Sequence, residues 1–170
     1  MNRVLKMLAI GMLALTVAGA GLVLYALNSM TPQVESVSIT STPAWQAQEN
    51  FDALMAQLDA GTFNGKQFAL ADDLSAQDCT FITYALRLKN AGFFPAEWIG
   101  LQVLPAQSAD GSSADILQLG DTGAYVLGAG SRGDLQATIL HRGDAAQTQR
   151  TLLVTCYVFG SRVQFEVQAQ

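Results

Sequence analysis

The residues of this chain best suited to acid–base chemistry are one histidine and fourteen carboxylates. His141 is predicted at the end of a strand, on the face shared by Leu135, Ala137 and Ile139. Neither a Gly-x-Ser-x-Gly elbow nor a phosphate-binding glycine loop accompanies it. Two carboxylates can still meet in the folded chain, as glycosidases require. The sequence therefore predicts no catalytic centre, and a hydrolase that acts through carboxylates is the alternative.

Three aspartates, Asp110, Asp115 and Asp121, lie in and beside a glycine- and serine-rich stretch that could hold a calcium ion. Their spacing does not match an EF-hand loop, which needs alternating oxygen ligands and a closing glutamate. We interpret them as solvated loop carboxylates, and Asp72 and Asp73 as turn residues. Two cysteines and a single histidine cannot supply the four ligands of a zinc site. No metal or cofactor is expected.

The two cysteines, Cys79 and Cys156, can form a disulfide if both lie in an oxidising compartment. Such a bond would stabilise the fold by about 4–5 kcal/mol through the loop it closes. Strand periodicity argues against the pairing, because Cys79 shares a face with Arg87 and Lys89. Cys156 shares its face with apolar core residues instead. A bulge near Cys79 would remove this mismatch, so the sequence does not decide whether the two cysteines pair.

The tripeptide Arg-Gly-Asp occurs twice, at residues 132–134 and 142–144. On a flexible turn this sequence can bind integrins through its two opposite charges. The two copies bracket one predicted strand, so they lie about 23–27 Å apart and cannot form a single site. Glycine and aspartate are also ordinary turn residues. Adhesion through one of these turns is therefore an alternative function rather than the main one.

Three aromatic residues, Phe93, Phe94 and Trp98, surround one loop. Exposed, they would form a binding surface, because aromatic residues dominate the hot spots of protein interfaces. Packed inwards, they would close the end of a β-sandwich. In this sequence they are the best candidates for a patch that contacts a protein partner.

The N-terminal part of the chain contains an uncharged apolar run of 21 residues, from Met7 to Leu27. About 20 apolar residues in a helix are enough to cross the hydrocarbon layer of a bilayer. Arg3 and Lys6 precede the run, and no acidic residue occurs before Glu35. Positive charge stays on the cytoplasmic side, so the chain after the run is expected outside.

This run divides the chain into two parts. Residues 1–29 are predicted as an uncleaved signal anchor, and residues 30–170 as an extracytoplasmic domain. The alternative is a signal peptide cleaved at the Ala-x-Ala of residues 18–20. That cleavage would leave the apolar stretch GLVLYAL on the mature protein.

Beyond the run the chain carries seven basic and fourteen acidic residues, a net charge of −7. The basic residues are scattered, whereas nucleic-acid binding requires a clustered basic surface. No nucleic-acid partner is therefore expected, and this negative charge also disfavours docking onto acidic lipid.

The external part begins with a predicted strand around Val37 and Ile39, followed by a helix near 43–60. Thr42 is predicted to cap this helix and Pro43 to start it. Its apolar face consists of Phe51, Leu54, Met55 and Leu58 at helical spacing. From Asp78 onward the apolar period is two, with strands predicted near 79–90, 97–104, 115–119, 124–128, 134–141, 151–159 and 162–168. The fold class is therefore mainly β, an antiparallel sandwich behind a transmembrane helix and a short amphipathic helix.

Three stretches of this part carry a family resemblance. LRLKNAGFFPAEWIGLQV resembles the B–C hairpin of bacterial extracellular immunoglobulin-like domains, and VLGAGSRGDLQATIL resembles their glycine corner and next strand. RTLLVTCYVFGSRVQFEV resembles their closing F–G hairpin. Trp98 lies nineteen residues after Cys79, and valine occupies position 154, so two marks of antibody domains are displaced or missing. The resemblance implies a fold and a surface-exposed location, but no activity.

Together these features predict a single-pass membrane protein, bacterial by resemblance. Its external domain is expected to be a non-enzymatic binding or accessory module of an envelope assembly. The alternatives are a carboxylate-dependent envelope hydrolase and a secreted adhesion domain that uses an Arg-Gly-Asp turn.

Overall fold

The computed structural model describes residues 3–28, 31–70, 73–106, 113–120, 125–144 and 149–169. The helices are α1 (Arg3–Asn28) and α2 (Gln48–Asp59), and short 3-10 segments cover Ala44–Ala47 and Ala76–Asp78. The strands are β1 (Gln33–Pro43), β2 (Gly65–Gln67), β3 (Cys79–Lys89), β4 (Ala96–Leu104), β5 (Asp115–Leu119), β6 (Val126–Leu127), β7 (Arg132–Arg142), β8 (Arg150–Val158) and β9 (Ser161–Ala169). The fold is mainly β behind one N-terminal apolar helix, which confirms the predicted class at this level.

The strands form two antiparallel sheets. Sheet I has the order β1-β3-β7-β5-β2, and sheet II has the order β6-β4-β8-β9. The chain crosses between the sheets after β3, so the predicted hairpin of β3 and β4 is wrong. β8 and β9 do form a hairpin, with Val158 opposite Ser161.

The main core lies between the two sheets, because apolar residues alternate along the central strands. Strand β3 contributes Ile82, Tyr84, Leu86 and Leu88, and strand β8 contributes Leu152, Val154, Cys156 and Val158. All of these residues are buried. The faces predicted for both strands from their period of two are confirmed.

A second apolar cluster lies on the outer face of sheet I, where helix α2 covers it. Phe51 and Leu54 of α2 are buried there against Phe81, Leu117 and Leu140 of the sheet. The amphipathic helix is thus confirmed, and its stripe serves to cover the sheet.

The predicted start of this helix is wrong. Thr42 still pairs with Phe81 in the sheet, and Pro43 is the last residue of β1 with an extended ψ of 135°. The residue before α2 is Ala47, which makes no side-chain cap. Pairing with β3 therefore takes precedence over the local capping signal.

Most predicted strands agree with the structure to within one or two residues at each end. Two differences concern short strands at sheet edges. The strand predicted near 124–128 is limited to Val126–Leu127 in the described part of the chain, and β2 was not predicted. A three-residue strand such as β2 carries no periodicity that a sequence pattern can reveal.

The cysteines are both buried and both free. Cys79 belongs to the cluster under α2, whereas Cys156 belongs to the core between the sheets. Sheet I therefore separates them, and the disulfide left open by the sequence is not formed in the structure. The parity mismatch stands as the reason, and burial raises the pKa of both thiols.

We expect two free thiols per chain in protein purified without reductant. Alkylation in denaturant, followed by mass spectrometry, should add two labels to the chain. Labelling of the folded protein should be much slower, since both thiols are buried. A chain that takes up no label until it is reduced would contradict this arrangement of the strands.

Candidate functional site

One end of the two-sheet domain exposes large apolar side chains. At this end Lys89 of β3 pairs with Arg132 of β7, and Ala96 of β4 pairs with Leu127 of β6. The exposed residues, which we call the aromatic end, are Phe93, Trp98, Tyr125, Val126 and Phe159, each between 61% and 73% exposed. Soluble surfaces rarely gather so many apolar groups, so this end is a candidate contact surface.

The three residues predicted as a partner patch all lie at this end. Phe93 and Trp98 are exposed, while Phe94 is half-buried and packs against the main core. Its ring lies 4.0 Å, centroid to centroid, from the ring of Phe159. The sequence reasoning missed Tyr125, Val126 and Phe159, although Phe159 precedes an evident turn glycine.

A buried asparagine holds the loop that carries Phe93. The side-chain nitrogen of Asn90 donates to the carbonyl oxygens of Phe94 and Leu127, at 2.7 and 3.0 Å. Its side-chain oxygen accepts from the backbone N–H of Gly92 at 2.9 Å. Because these bonds satisfy Asn90 inside the domain, the loop has a fixed shape that presents Phe93 outwards.

Two of the exposed rings sit on unfavourable backbone conformations. Trp98 has a φ of 50° at an irregularity in β4, and Phe159 has a φ of 52° in the β8–β9 turn. Left-handed backbone is unusual for bulky residues and costs about 1 kcal/mol or more at each position. Folding gains little from these two rings, since both are largely exposed. A contact outside the domain would explain why they are there.

Helix α1 meets the aromatic end. The ring of Tyr25 lies 5.9 Å, centroid to centroid, from the ring of Phe93. Leu22 and Tyr25 of the helix, with Phe93 and Phe94 of the loop, line an apolar cavity of about 430 Å³. The aromatic end is therefore continuous with the apolar surface of the helix.

The opposite end of the domain contains a buried charged group. Asp115, the first residue of β5, is fully buried, and both of its carboxylate oxygens accept hydrogen bonds from Arg150 at 2.8 and 2.9 Å. Nδ1 of His141 lies 2.8 Å from one carboxylate oxygen, and the backbone N–H of Ala106 lies 3.0 Å from the other. An ionised carboxylate only accepts, so His141 donates from Nδ1. This set is called the Asp115 cluster.

Several bonds keep Asp115 ionised. Burial alone would raise its pKa, but the hydrogen bonds from His141 and Arg150 outweigh burial and hold that pKa well below its usual range. Burial also raises the pKa of nearby Tyr84 to about 12. The cluster is therefore a buried pair of opposite charges with a histidine attached.

The Asp115 cluster corrects the sequence interpretation of that residue, because Asp115 is not a solvated loop carboxylate. Asp110 and Asp121 lie outside the described residues, and so does Asp72, while Asp73 is exposed with a φ of 53°. Within the described residues no group of three His, Cys, Asp or Glu side chains could hold a metal ion. The sequence signal that could have revealed the cluster is the parity of the strands, that is, the alternation of core-facing and outward-facing residues along them.

That parity is visible in the strands that carry the two bases. His141 continues the core-facing series of β7, as the sequence predicted, and Arg150 begins the core-facing series of Leu152 and Val154. A buried arginine beside a buried histidine requires an anion within hydrogen-bond distance. Asp115 heads a strand that reaches the same end of the domain.

The cluster connects elements rather than presenting a reactive group. Asp115 and His141 are on sheet I, Arg150 begins a strand of sheet II, and Ala106 follows another. The Thr80 hydroxyl, whose residue pairs with His141, donates to the Gly143 carbonyl oxygen at 2.9 Å. This arrangement supports a structural role, because its hydrogen bonds link the two sheets.

The two Arg-Gly-Asp copies lie at the two ends of β7, as predicted. The first is inside the strand, where Arg132 pairs with Glu35 and Asp134 pairs with Arg87 across the sheet surface. The second begins at Arg142, the last residue of β7, and continues beyond the strand, with Gly143 at a φ of 97°. The first copy therefore lacks the free turn that an adhesion motif needs.

A cleft of about 480 Å³ lies between α2 and the part of the outer face of sheet I that α2 does not cover. Its polar lining is uncharged and consists of Asn50, Gln57, Thr83, Gln136 and Thr138. Leu54, Phe81 and Leu119 give it an apolar floor. This size and mixture fall in the range of sites that bind small ligands or short segments.

Replacing Asp115 by Asn should strongly destabilise the domain, because it leaves the Arg150 charge buried without its partner. We expect the free energy of unfolding to fall by about 3–5 kcal/mol, measured by urea titration of the full chain in detergent micelles. Asp134→Asn is the matched control, since it removes an exposed carboxylate from an arginine pair and should change stability little. Equal effects of the two substitutions would contradict a buried joint.

The same group sets a pH dependence. Because the pKa of Asp115 is lower in the folded protein than in the unfolded chain, the unfolded chain binds more protons as the pH falls below about 4. The native protein should therefore lose stability below that pH, and Asp115→Asn should lose less over the same range. Identical slopes for both proteins would show that Asp115 is not the group responsible.

Comparison with models of protein families and with curated proteins gives no match for this chain.

Proposed function

We propose that the chain is a single-pass membrane protein that displays an immunoglobulin-like domain outside the cytoplasm. The domain acts there as a non-enzymatic binding or accessory module of an envelope assembly. The observation that carries the proposal is that helix α1 is strongly apolar and is left exposed by the domain. Its 20-residue stretch Lys6–Tyr25 has a mean hydropathy of 2.3, and none of it is buried by the domain.

An apolar helix of this length needs an apolar environment that shields it from water. A 20-residue helix is about 30 Å long, the thickness of the hydrocarbon layer of a bilayer. Arg3 precedes the stretch and Lys6 is its first residue, and positive charge at this end favours a cytoplasmic N-terminus. A cleaved signal peptide passes the same test of length and composition, and the experiment below separates the two.

The strand order supports the immunoglobulin-like part of the proposal. In chain order β1, β3, β4, β5, β7, β8 and β9 correspond to strands A to G of a constant-type domain. Their neighbours are then A-B-E-D in sheet I and C-F-G in sheet II, the pairing of that fold. Two short edge strands, β2 and β6, and helix α2 are additions to it.

The binding role is supported by the cleft between α2 and sheet I. Amide and hydroxyl groups from the helix and the sheet converge on it, above an apolar floor. A hydrolase finds less support in the described residues, because both oxygens of Asp115 accept bonds from Arg150 and His141 is held by the same carboxylate.

The membrane part is tested with full-length protein that carries a C-terminal tag. We expect the mature chain to keep residues 1–27, to resist extraction by alkaline carbonate, and to lose its domain to protease added outside spheroplasts. A variant in which a cleavable signal replaces residues 1–29 is the control and should be soluble. A wild-type chain that begins beyond residue 27 and is soluble would refute the anchor.

The binding part is tested by placing a photo-crosslinking residue at Gln136 in the cleft, in cells that express the anchored protein. The control position is Gln164, which is exposed on the outer face of sheet II. We expect a discrete adduct from position 136 and none from position 164. Equal labelling from both positions, or none from either, would argue against the cleft as a binding site.

A further inference from the structure

The aromatic end lies where helix α1 leaves the membrane in the proposed topology. Only residues 29–32 separate α1 from β1, so the two elements can be at most about 18 Å apart. β1 begins opposite Lys89, at the end of the sheet that carries Phe93. Tyr25, which contacts Phe93, is also the last residue of the apolar stretch. In the proposed topology Phe93 is therefore level with the end of the hydrocarbon layer.

The residue types at this end are those of a membrane interface. Tryptophan and tyrosine are enriched where a bilayer meets water, because one side of each ring is apolar and one edge is polar. Trp98 and Tyr125 are both largely exposed here, and so are Phe93, Val126 and Phe159, whose side chains are purely apolar. Ile99 of β4 donates its N–H to the Tyr125 carbonyl oxygen at 3.3 Å, which keeps the two aromatic segments side by side.

Charge is distributed unevenly along the domain. The strand ends near the aromatic end carry four basic residues, Arg87, Lys89, Arg132 and Arg162, and three acidic residues, Glu35, Glu97 and Asp134. Helix α2, at the other end, carries Glu49, Asp52 and Asp59 and no basic residue. The net negative charge predicted to repel acidic lipid therefore lies mostly away from the aromatic end. A bilayer with anionic lipid would repel α2 and tolerate the aromatic end.

From these observations we infer that the aromatic end inserts into the lipid interface of the membrane that α1 spans. The domain then stands on the bilayer surface, with α2 and its cleft turned to the solvent. This inference rests on the proposed membrane anchor. The left-handed backbone at Trp98 and Phe159 fits it, because both residues are largely exposed and this placement gives their rings a contact with lipid.

The chain contains two tryptophans that make a matched pair of reporters. Trp98 is at the aromatic end, whereas Trp45 is in the 3-10 segment before α2, at the opposite end, and is also exposed. Trp45→Phe leaves Trp98 as the only tryptophan, and Trp98→Phe leaves Trp45. Both variants keep an aromatic ring at the changed position, so neither should disturb the fold.

The test uses the full chain reconstituted into vesicles of phosphatidylcholine and phosphatidylglycerol, with and without bromine on the acyl chains near the headgroups. We expect bromine to remove about half or more of the Trp98 fluorescence, since the ring lies at interface depth, and to leave Trp45 nearly unchanged. Iodide added to the water should quench Trp45 and spare Trp98.

Two results would overturn the inference, and they differ in what else they overturn. If the protein resists carbonate extraction but Trp98 is quenched by iodide and not by bromine, the anchor stands and the aromatic end faces water. A protein partner is then its occupant. If the protein cannot be retained in the vesicles at all, both the membrane anchor and the insertion of the aromatic end into the lipid interface are refuted.

Discussion

A single buried carboxylate joins the two sheets at the end of the domain far from helix α1. Asp115 on sheet I accepts two hydrogen bonds from Arg150 on sheet II and one from His141. Gln118, on the same strand, reaches the edge of β4, where its side chain bonds the Leu101 carbonyl oxygen and the Val103 N–H at 2.8 Å each. Strand β5 thus ties the layers together with polar bonds that the apolar core alone does not supply.

That joint leaves the opposite end of the domain free for another role. There Asn90 holds the loop in which Phe94 packs against the core and Phe93 stays exposed. A domain stabilised at its far end can present strained, exposed aromatic residues at its near end. The two ends therefore have different roles. The Asp115 cluster holds the sheets together at one end, and the aromatic end offers a contact surface beside helix α1 at the other.

The sequence predicted the parts of the fold that depend on long periodic patterns. Alternation in β3 and β8 identified the core faces, and the same parity argued against the pairing of Cys79 with Cys156, which the structure places in different clusters. It failed where tertiary contacts overrule a local signal. Pro43 stays in a strand because β1 pairs with β3, and Asp115 is buried although acidic residues beside glycine-rich loops are usually solvated.

The candidate surfaces were predictable only in part. Phe93, Phe94 and Trp98 stood out as a cluster in the sequence, but Tyr125 and Phe159 join them only through the pairing of β6 with β4 and the β8–β9 turn. The cleft beside α2 was invisible, since its lining comes from a helix and three strands far apart in the chain. Surfaces built from several elements need the topology before they can be located.

The orientation of the domain on a bilayer is the property to measure first. Backbone NMR of the full chain in lipid nanodiscs, with a small share of lipids bearing a paramagnetic headgroup, would measure it directly. β3 has 11 residues and spans about 36 Å, so the two ends of the domain differ widely in their distance from the headgroups. We predict strong broadening for the amides of Phe93, Trp98 and Phe159, and little for those of α2. Broadening of α2, or equal broadening throughout the domain, would contradict an aromatic end seated on the lipid.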